Sequence, residues 1–228
     1  MKVSIVVPAY NEAAYLADTL HCLLSLDYPD FEIIVVDNAS TDSTSEVAKQ
    51  FPVRLVYEEK KGLLHARERG RREASGEIIA NVDADCRPTK DWLQKATLYF
   101  KNPKVVAVSG PYFYFDSPFL SRTILFNSQK YLYAVSSRIL QAFGKNGILI
   151  GGNTLFRARA LDELGGYDTS ILFYGEDTDT AKKLSSRGKI VFSPNVVMPT
   201  SARRFKKEGT LRIIGKYLYH FFKATFSR

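Results

Sequence analysis

The stretch EIIANVDAD, residues 77–85, carries a mostly apolar run that ends on two aspartates separated by one alanine. The run predicts a buried strand, with Asp83 and Asp85 at its carboxyl end. Two carboxylates this close together repel each other, so we expect a positive charge beside them. A divalent cation with oxygen ligands, Mg²⁺ or Mn²⁺, fits that chemistry and usually also holds substrate phosphates. The alternative is a polar turn that only terminates the strand.

Strand and helix patterns alternate on both sides of this stretch. The predicted strands cover residues 3–7, 31–36, 53–57, 78–82 and 105–109, with helices between them over 11–24, 40–51, 63–74 and 91–100. Such alternation is typical of a parallel sheet with right-handed crossovers. Three of these strands end on polar clusters, which should therefore meet along one edge of the sheet.

The pattern changes after the first half of the chain. Residues 111–143 are rich in aromatic and aliphatic side chains, which fits either a core helix with its entry loop or a wall that binds an acceptor. Residues 144–200 return to α/β character, with a strand over 154–156 and a helix from Glu176 to Arg187.

The composition is that of an ordinary globular protein, with 228 residues of which 45% are hydrophobic and 25% charged. The two cysteines lack metal-type spacing, and a strand pattern begins at once at the N-terminus. We therefore expect a cytoplasmic protein without a signal peptide. No apolar run approaches the roughly 18 residues of a membrane span.

The net charge of +8 is concentrated near the C-terminus, where residues 201–228 carry eight bases and one acid. Residues 210–226 have helical periodicity, with an apolar, aromatic-rich face opposite Arg212, Lys216 and Lys223. This pattern is typical of a helix that lies in the plane of an anionic membrane surface. The alternative is a helix packed on the body or on a second subunit. Nucleic-acid binding is disfavoured because the aromatic residues lie opposite the bases rather than among them.

Four short motifs occur in order along the chain. They are Pro8-Ala9-Tyr10-Asn11-Glu12, Asp37-Asn38-Ala39-Ser40-Thr41-Asp42, Asp83-Ala84-Asp85 and Gly175-Glu176-Asp177. Their order and spacing resemble those of glycosyltransferase family 2. The resemblance covers about residues 1–205. It implies the α/β GT-A fold, a Rossmann-like, mostly parallel sheet flanked by helices. A nucleotide-binding half over about 1–110 would be followed by an acceptor half over about 111–205 and by the amphipathic tail helix, 206–228.

The resemblance also implies a nucleotide-diphosphate sugar as donor. Seven residues would bind the nucleotide: Pro8, Tyr10, Glu12, Asp37, Lys61, Arg67 and Asp83. The residue chemistry agrees, because Tyr10 offers a flat surface, Glu12 can accept ribose hydroxyls and Asp37 can accept a pyrimidine N–H, which favours a UDP-type donor. Asp85, with Asp83, would hold Mn²⁺ or Mg²⁺ against the diphosphate.

In the same family pattern Asp177, with Glu176 beside it, would be the general base that takes the proton of the acceptor hydroxyl. One base without a covalent nucleophile implies a single displacement that inverts the anomeric centre. Sugar or acceptor contacts are expected from Gly151, Gly152, Asn153 and Arg204. Arg204 belongs to a partial match to a Q-x-x-R-W motif in which Gln and Trp are both replaced.

The acceptor is expected to be a glycan or a polyprenyl-linked sugar in cell-envelope polysaccharide synthesis. The basic tail would then hold the protein on the inner face of the cell membrane. The alternative function is a nucleotide-sugar-binding or regulatory protein without turnover.

Overall fold

The computed structural model describes residues 1–142, 147–171, 175–209, 215, 216 and 219. The strands are β1 (Val3–Ala9), β2 (Phe31–Asp37), β3 (Arg54–Tyr57), β4 (Ile78–Val82), β5 (Val105–Ser109), β6 (Tyr112–Tyr114), β7 (Asn153–Arg157), β8 (Lys189–Phe192) and β9 (Met198–Thr200). The helices are α1 (Leu16–Leu24), α2 (Thr44–Ala48), α3 (Leu63–Glu73), α4 (Trp92–Thr97), α5 (Phe119–Asn127), α6 (Ala134–Ala142), α7 (Ala158–Asp162), α8 (Glu176–Ser185) and α9 (Arg203–Glu208). A 3₁₀ turn (Leu98–Lys101) follows α4, and a π-helical turn (Ser128–Tyr133) joins α5 to α6.

The central sheet has the strand order β3-β2-β1-β4-β7-β5-β8. Strands β1, β2, β3 and β4 pair in parallel, and β8 pairs in parallel with β5. Strand β7 runs antiparallel to both β4 and β5. A second, small sheet pairs β6 with β9. The predicted α/β architecture with a mostly parallel sheet is therefore confirmed.

Two apolar clusters cover the two faces of the sheet. Val3, Ile5 and Val7 alternate along β1 into the cluster that contains α1 and α4, whereas Val6 enters the cluster with Leu64 of α3. Side chains at successive strand positions point to opposite faces, so a strand buried on both faces has a continuous apolar sequence. That is why the strands of this sheet were predictable from apolar runs.

The described part of the aromatic segment, residues 111–142, contains a strand and two helices. β6 pairs with β9, and α5, the π-helical turn and α6 follow it. Among the described residues, no helix is long and apolar enough to cross a membrane. The predicted tail helix, residues 206–228, lies outside the described residues except for positions 206–209, 215, 216 and 219. Helix α9 begins at Arg203, three positions before the predicted domain boundary.

Candidate functional site

Acidic side chains from three segments meet at the carboxyl end of β4. Glu12 follows β1, Asp83 and Asp85 follow β4, and Glu176 and Asp177 begin α8. The antiparallel register of β4 and β7 brings the amino end of β7 next to the carboxyl end of β4. This edge of the sheet is where open α/β folds bind ligands.

Arg67 of α3 connects two of these acids. The Arg67 side chain is only 3% exposed, and its terminal nitrogens lie 3.5 Å from a carboxylate oxygen of Asp83 and 3.5 Å from one of Asp177. The Tyr112 hydroxyl donates a hydrogen bond to the other oxygen of Asp83 at 2.9 Å. The predicted nucleotide-facing arginine therefore joins the end of β4 to the start of α8. Tyr112 is a site residue that sequence reasoning missed, because nothing in its own segment marks it.

The Asp177 carboxyl has a raised pKa. Burial raises the pKa of Asp177 to about 7, the negative charge of Glu176 adds to this rise, and Arg67 opposes it. The Gly151 N–H donates to one Asp177 oxygen at 2.8 Å and fixes the carboxylate. Glu176 is 8% exposed, and its Oε2 has no hydrogen-bond partner within the described part of the chain. A carboxylate with a pKa near neutrality is well suited to accept a proton at physiological pH.

A second group of charges lies around Arg203, the first residue of α9. The Arg203 Nε lies 2.8 Å from an Asp85 oxygen, and a terminal nitrogen donates to Glu12. The guanidinium also lies 4.4 Å from the ring centroid of Tyr15, and the Thr200 hydroxyl donates to Asp85 at 3.3 Å. Burial raises the pKa of both Glu12 and Asp85, while Arg203 counteracts the rise in each case. Arg203 therefore supplies the positive charge that the acids require.

The expected arginine contact at this rim is made by the neighbouring residue. The side chain of Arg204, which stays the predicted sugar or acceptor contact, is exposed, whereas Arg203 reaches the acids. The reason is helical geometry, because adjacent residues at the start of α9 point in directions about 100° apart. The sequence signal for Arg203 was present in the basic pair, but the pair did not reveal which member faces inward.

The predicted nucleoside pocket lies at the ends of β1 and β2. Tyr10 is 46% exposed, and the Lys61 ammonium donates to its hydroxyl at 3.2 Å. Pro8 is buried within β1, opposite Val36 of β2. Asp37 is buried, accepts the Ser40 N–H at 3.0 Å and also accepts the Ser45 hydroxyl. Pro8 and Asp37 thus shape the floor of this region, and Tyr10 with Lys61 forms its open side.

Gly151 and Gly152 stand where a side chain would collide with the acids. A Cβ at Gly151 would lie 2.5 Å from an Arg67 nitrogen and 2.6 Å from an Asp177 oxygen. A Cβ at Gly152 would lie 2.2 Å from the Asp83 carboxyl carbon and 2.4 Å from the Tyr112 hydroxyl. Glycine at these two positions lets the backbone approach the protein's own site residues, and the expected approach to a sugar or acceptor stays a prediction.

We expect Gly152→Ala to lower the free energy of unfolding by about 1–3 kcal/mol, because the added methyl group must displace Asp83 or Tyr112. Urea denaturation would measure the loss. Gly215→Ala is the matched control, since among the described residues its Cβ meets nothing within 4 Å. Equal effects of the two substitutions would contradict the packing explanation.

Asn153 was expected to contact the sugar or acceptor, and its side chain is used elsewhere. Asn153 is fully buried, accepts the Trp92 indole N–H at 2.9 Å and donates to the Val196 carbonyl at 2.7 Å. Both polar atoms of its amide are thus occupied within the core. Asn153 secures the start of β7, which in turn holds the two preceding glycines at the rim.

The acids at the rim offer few protein ligands to a divalent cation. Within the described residues, no group of three His, Cys, Asp or Glu side chains is arranged to hold a metal ion. Asp83 and Asp85 have different partners, since Asp83 contacts Arg67 and Tyr112 whereas Asp85 contacts Arg203. The buried Oε2 of Glu12, near Asp85, has no hydrogen-bond partner among the described residues. The carboxylates of Glu12, Asp83 and Asp85 fit a hard cation that would take most of its ligands from substrate phosphates, with Asp85 as the protein ligand.

Comparison with known proteins identifies the family. The sequence model of "Glycosyl transferase family 2" matches residues 4–165. The chain belongs to this family. The family predicted from the four motifs is therefore confirmed, as is the class of enzyme that the family comprises.

Relatives of this family 2 chain include the glycosyltransferase AglE of Haloferax volcanii, 26% identical over 211 residues that cover 89% of this chain and 68% of that protein. The poly-beta-1,6-N-acetyl-D-glucosamine synthase of Staphylococcus epidermidis is 31% identical over 183 residues, which cover 75% of this chain and 43% of that protein. The chain thus spans only part of the length of these relatives.

Solved structures share the fold. A mannosyltransferase from Pyrobaculum calidifontis, in complex with GDP-Man and Mn²⁺, superposes with a TM-score of 0.76 at 28% identity over all of this chain and 65% of that one. S. aureus TarS superposes with a TM-score of 0.69 at 18% identity, which shows the fold alone. The GT-A fold predicted for the family 2 chain is confirmed.

Proposed function

We propose that this chain transfers a sugar from a nucleotide-diphosphate sugar to an acceptor hydroxyl, with inversion at the anomeric carbon. The observation that carries the proposal is the Asp177 carboxylate, anchored by a main-chain N–H at 2.8 Å and joined to Asp83 through Arg67. Asp177 would take the proton of the acceptor hydroxyl as that oxygen attacks the sugar. A single base, without a covalent nucleophile, corresponds to one displacement step.

The donor nucleotide would lie over Tyr10 and Lys61, with the Asp37 and Pro8 region below it. Glu12 and Asp83 would accept hydrogen bonds from the ribose. We favour a UDP-type donor from the residue chemistry, although the similar mannosyltransferase was solved with GDP-Man. Arg67 and Arg203 are the cations nearest to the place where a diphosphate would meet the acids.

A divalent cation, Mn²⁺ or Mg²⁺, would be held by Asp85, with Asp83 beside it. Mn²⁺ is present in the complex of the mannosyltransferase. The Glu12 Oε2, which has no hydrogen-bond partner within the described part of the chain, supports a cation at this rim. When bound, such a cation neutralises charge that develops on the leaving diphosphate. Asp177 and Arg67 act independently of it, by accepting the acceptor proton and by holding the acids in place.

The donor class is tested by thermal unfolding with a panel of nucleotide diphosphates and nucleotide sugars, with and without Mn²⁺. A ligand that binds the folded state raises the midpoint of unfolding, and the rise grows with the logarithm of its concentration relative to Kd. We expect one nucleotide class to raise the midpoint, and to do so more strongly with Mn²⁺. If every nucleotide leaves the midpoint unchanged in both conditions, the proposed donor is wrong.

The rate of transfer should depend on the protonation of Asp177. Because the base works only when deprotonated and its pKa is raised to about 7, we expect kcat/KM to fall tenfold per pH unit below that pKa and to level off above it. The measurement is kcat/KM against pH at a fixed concentration of Mn²⁺. A profile that stays level from about pH 5 to pH 8 would exclude Asp177 as the base.

The acceptor is proposed to be a glycan or a polyprenyl-linked sugar, reached from the inner face of the cell membrane. The basic, amphipathic sequence of residues 210–226 supports this, since an anionic bilayer attracts each nearby Lys or Arg by about 1 kcal/mol. Co-sedimentation with anionic vesicles before and after removal of residues 206–228 measures the contribution of the tail. Unchanged sedimentation after the removal would exclude the tail as a membrane anchor.

A further inference from the structure

The segment that follows β6 carries a row of apolar side chains on its solvent side. We call this row the apolar ridge, and its members are Leu120, Ile124, Tyr131, Val135 and Ile139. Each ridge residue is more than half exposed, from 52% at Ile139 to 70% at Leu120. Their spacings of four and seven residues place them on one side of the combined helix. An apolar row of this length on a surface usually marks a site of interaction.

The opposite side of the same segment is fixed to the body. Gln129, Ala134 and Ser137 are buried, and the Tyr133 ring packs against Phe192 of β8 with 5.9 Å between the ring centroids. The Gln129 side-chain oxygen accepts the Tyr112 N–H at 2.8 Å. Because the inner face already has partners in the core, the ridge is a second face of the helices.

The segment that carries the ridge has charges of one sign. The sequence contains no Asp or Glu from residue 117 to residue 161, whereas Arg122, Lys130 and Arg138 lie within the helical segment. The Lys130 ammonium lies 5.5 Å from the centroids of both the Phe126 and Tyr131 rings, so a cation stands directly beside the ridge. A partner that covers this face must therefore be apolar and negatively charged at its margin.

We propose that the apolar ridge is the surface on which this chain lies on an anionic lipid bilayer, with α5 and α6 in the plane of the interface. Apolar side chains flanked by Lys and Arg, with aromatic residues at the margin, are the composition of such in-plane helices. Anionic headgroups complement Arg122, Lys130 and Arg138, whereas a second copy of the chain would place the same positive charges opposite these three side chains. The ridge is distinct from the tail, and the contact does not depend on the tail sequence.

The segment that carries the apolar ridge is connected to the acid rim, so the proposed contact with the bilayer would serve the transfer reaction. Gln129, on the inner side of the segment, is bonded to Tyr112, and Tyr112 is bonded to Asp83. Two hydrogen bonds thus separate the membrane-facing helices from the acid rim. An acceptor with an apolar anchor would reach the rim without leaving the bilayer. This use rests on the proposed transfer reaction, whereas the bilayer contact itself does not.

The contact is tested by flotation of the full chain with phosphatidylcholine vesicles, with and without phosphatidylglycerol. We expect Leu120→Ser combined with Ile124→Ser to weaken binding to the anionic vesicles tenfold or more, because two exposed apolar anchors are lost. The matched control is Leu98→Ser combined with Tyr57→Ser, since these side chains are 57% and 58% exposed elsewhere on the surface. Binding that is equal in the ridge variant and the wild type would overturn the proposal.

A second measurement reports where the ridge lies. Trp92 is 1% exposed and is the single tryptophan of the chain, so it gives a constant background. We expect brominated lipids to quench the fluorescence of Val135→Trp and to leave that of Leu98→Trp unchanged. Equal quenching of both variants, or of neither, would contradict the proposed orientation.

Two further outcomes separate this proposal from its alternatives. If the wild type is a dimer in solution and the ridge variant is a monomer with unchanged vesicle binding, the ridge is a protein interface and the proposal fails. Nucleotide binding, followed by thermal unfolding, should be the same in the ridge variant and the wild type. A loss of vesicle binding with nucleotide binding intact supports the ridge, even if the proposed transfer reaction proves wrong.

Discussion

Asp177→Asn should slow transfer by two to four orders of magnitude, roughly the usual contribution of a general base, while leaving donor binding nearly intact. An asparagine has almost the same shape and still offers an oxygen to the Gly151 N–H, which lies 2.8 Å from the carboxylate in the wild type. It cannot accept the proton of an acceptor hydroxyl. General-base catalysis usually contributes a factor of about 10²–10⁴, so we expect kcat to fall by that factor. The measurements are the steady-state rate of sugar transfer and the affinity for the donor by calorimetry.

Asp179→Asn is the matched control for this substitution. Asp179 lies in the same first turn of α8 but pairs with Lys183 at 2.8 Å, away from Arg67. We expect its transfer rate to stay within about twofold of the wild type, because surface pairs of this kind contribute little. A rate for Asp177→Asn within the same range would remove Asp177 from the mechanism. Complete absence of transfer in the wild type, with donor bound, would favour the binding protein without turnover.

Arg67→Leu should destabilise the fold strongly and in a pH-dependent way. Arg67 is 3% exposed and lies between the carboxylates of Asp83 and Asp177, which are each about a third exposed. Removing one partner of a buried ion pair typically costs about 3–5 kcal/mol, and the partial exposure of the acids favours the lower end of that range. The free energy of unfolding, from urea titrations, measures the loss.

The direction of the pH dependence follows from the acids that remain. Without Arg67 the pKa of Asp177, already raised by burial and by Glu176, should rise further. Asp177 then has a higher pKa in the folded state than in the unfolded state, and between these two values the folded state binds more protons. The free energy of unfolding therefore falls as pH rises from the unfolded-state pKa to the folded-state pKa. We expect the loss to be larger at pH 8 than at pH 5.

Arg69→Leu is the control on the same helix. Arg69 is 40% exposed and pairs with Glu73 at 3.0 Å, so its removal should cost no more than about 1 kcal/mol. An equal loss for the two arginines would show that helix propensity, and not the acid cluster, decides the effect. A loss for Arg67→Leu that is the same at both pH values would contradict the electrostatic explanation.

The parallel half of the sheet was predictable from local pattern. Strands β4 and β5 have the predicted bounds, because a strand buried on both faces is a continuous apolar run that ends where the chain turns. The acids of the rim were predictable for the same reason, since the carboxyl ends of parallel strands share one edge. Pattern alone therefore located Asp83, Asp85 and the start of the helix at Glu176.

What the sequence could not predict depends on contacts between distant segments. The direction of β7 is set by its pairing with β4 and β5, and an apolar run of five residues is the same in either direction. Tyr112 reaches Asp83 only because β6 ends near the rim. No sequence signal indicated the side-chain contacts of Asn153, whose amide oxygen accepts the Trp92 indole N–H from a distant segment. The inward turn of Arg203 likewise follows from the docking of α9.

The guanidinium of Arg203 forms ion pairs with Glu12 and Asp85 and so fixes the first turn of α9 to the acid rim. A cation that takes the Asp85 Oδ2 as a ligand competes with this guanidinium, so the two contacts share one free energy. By linkage, occupation of the acids loosens the seat of α9, and a firmly seated α9 lowers the affinity for the cation by the same factor. A contact that fixes the chain after α9 would therefore also change the affinity of the acid rim for a cation.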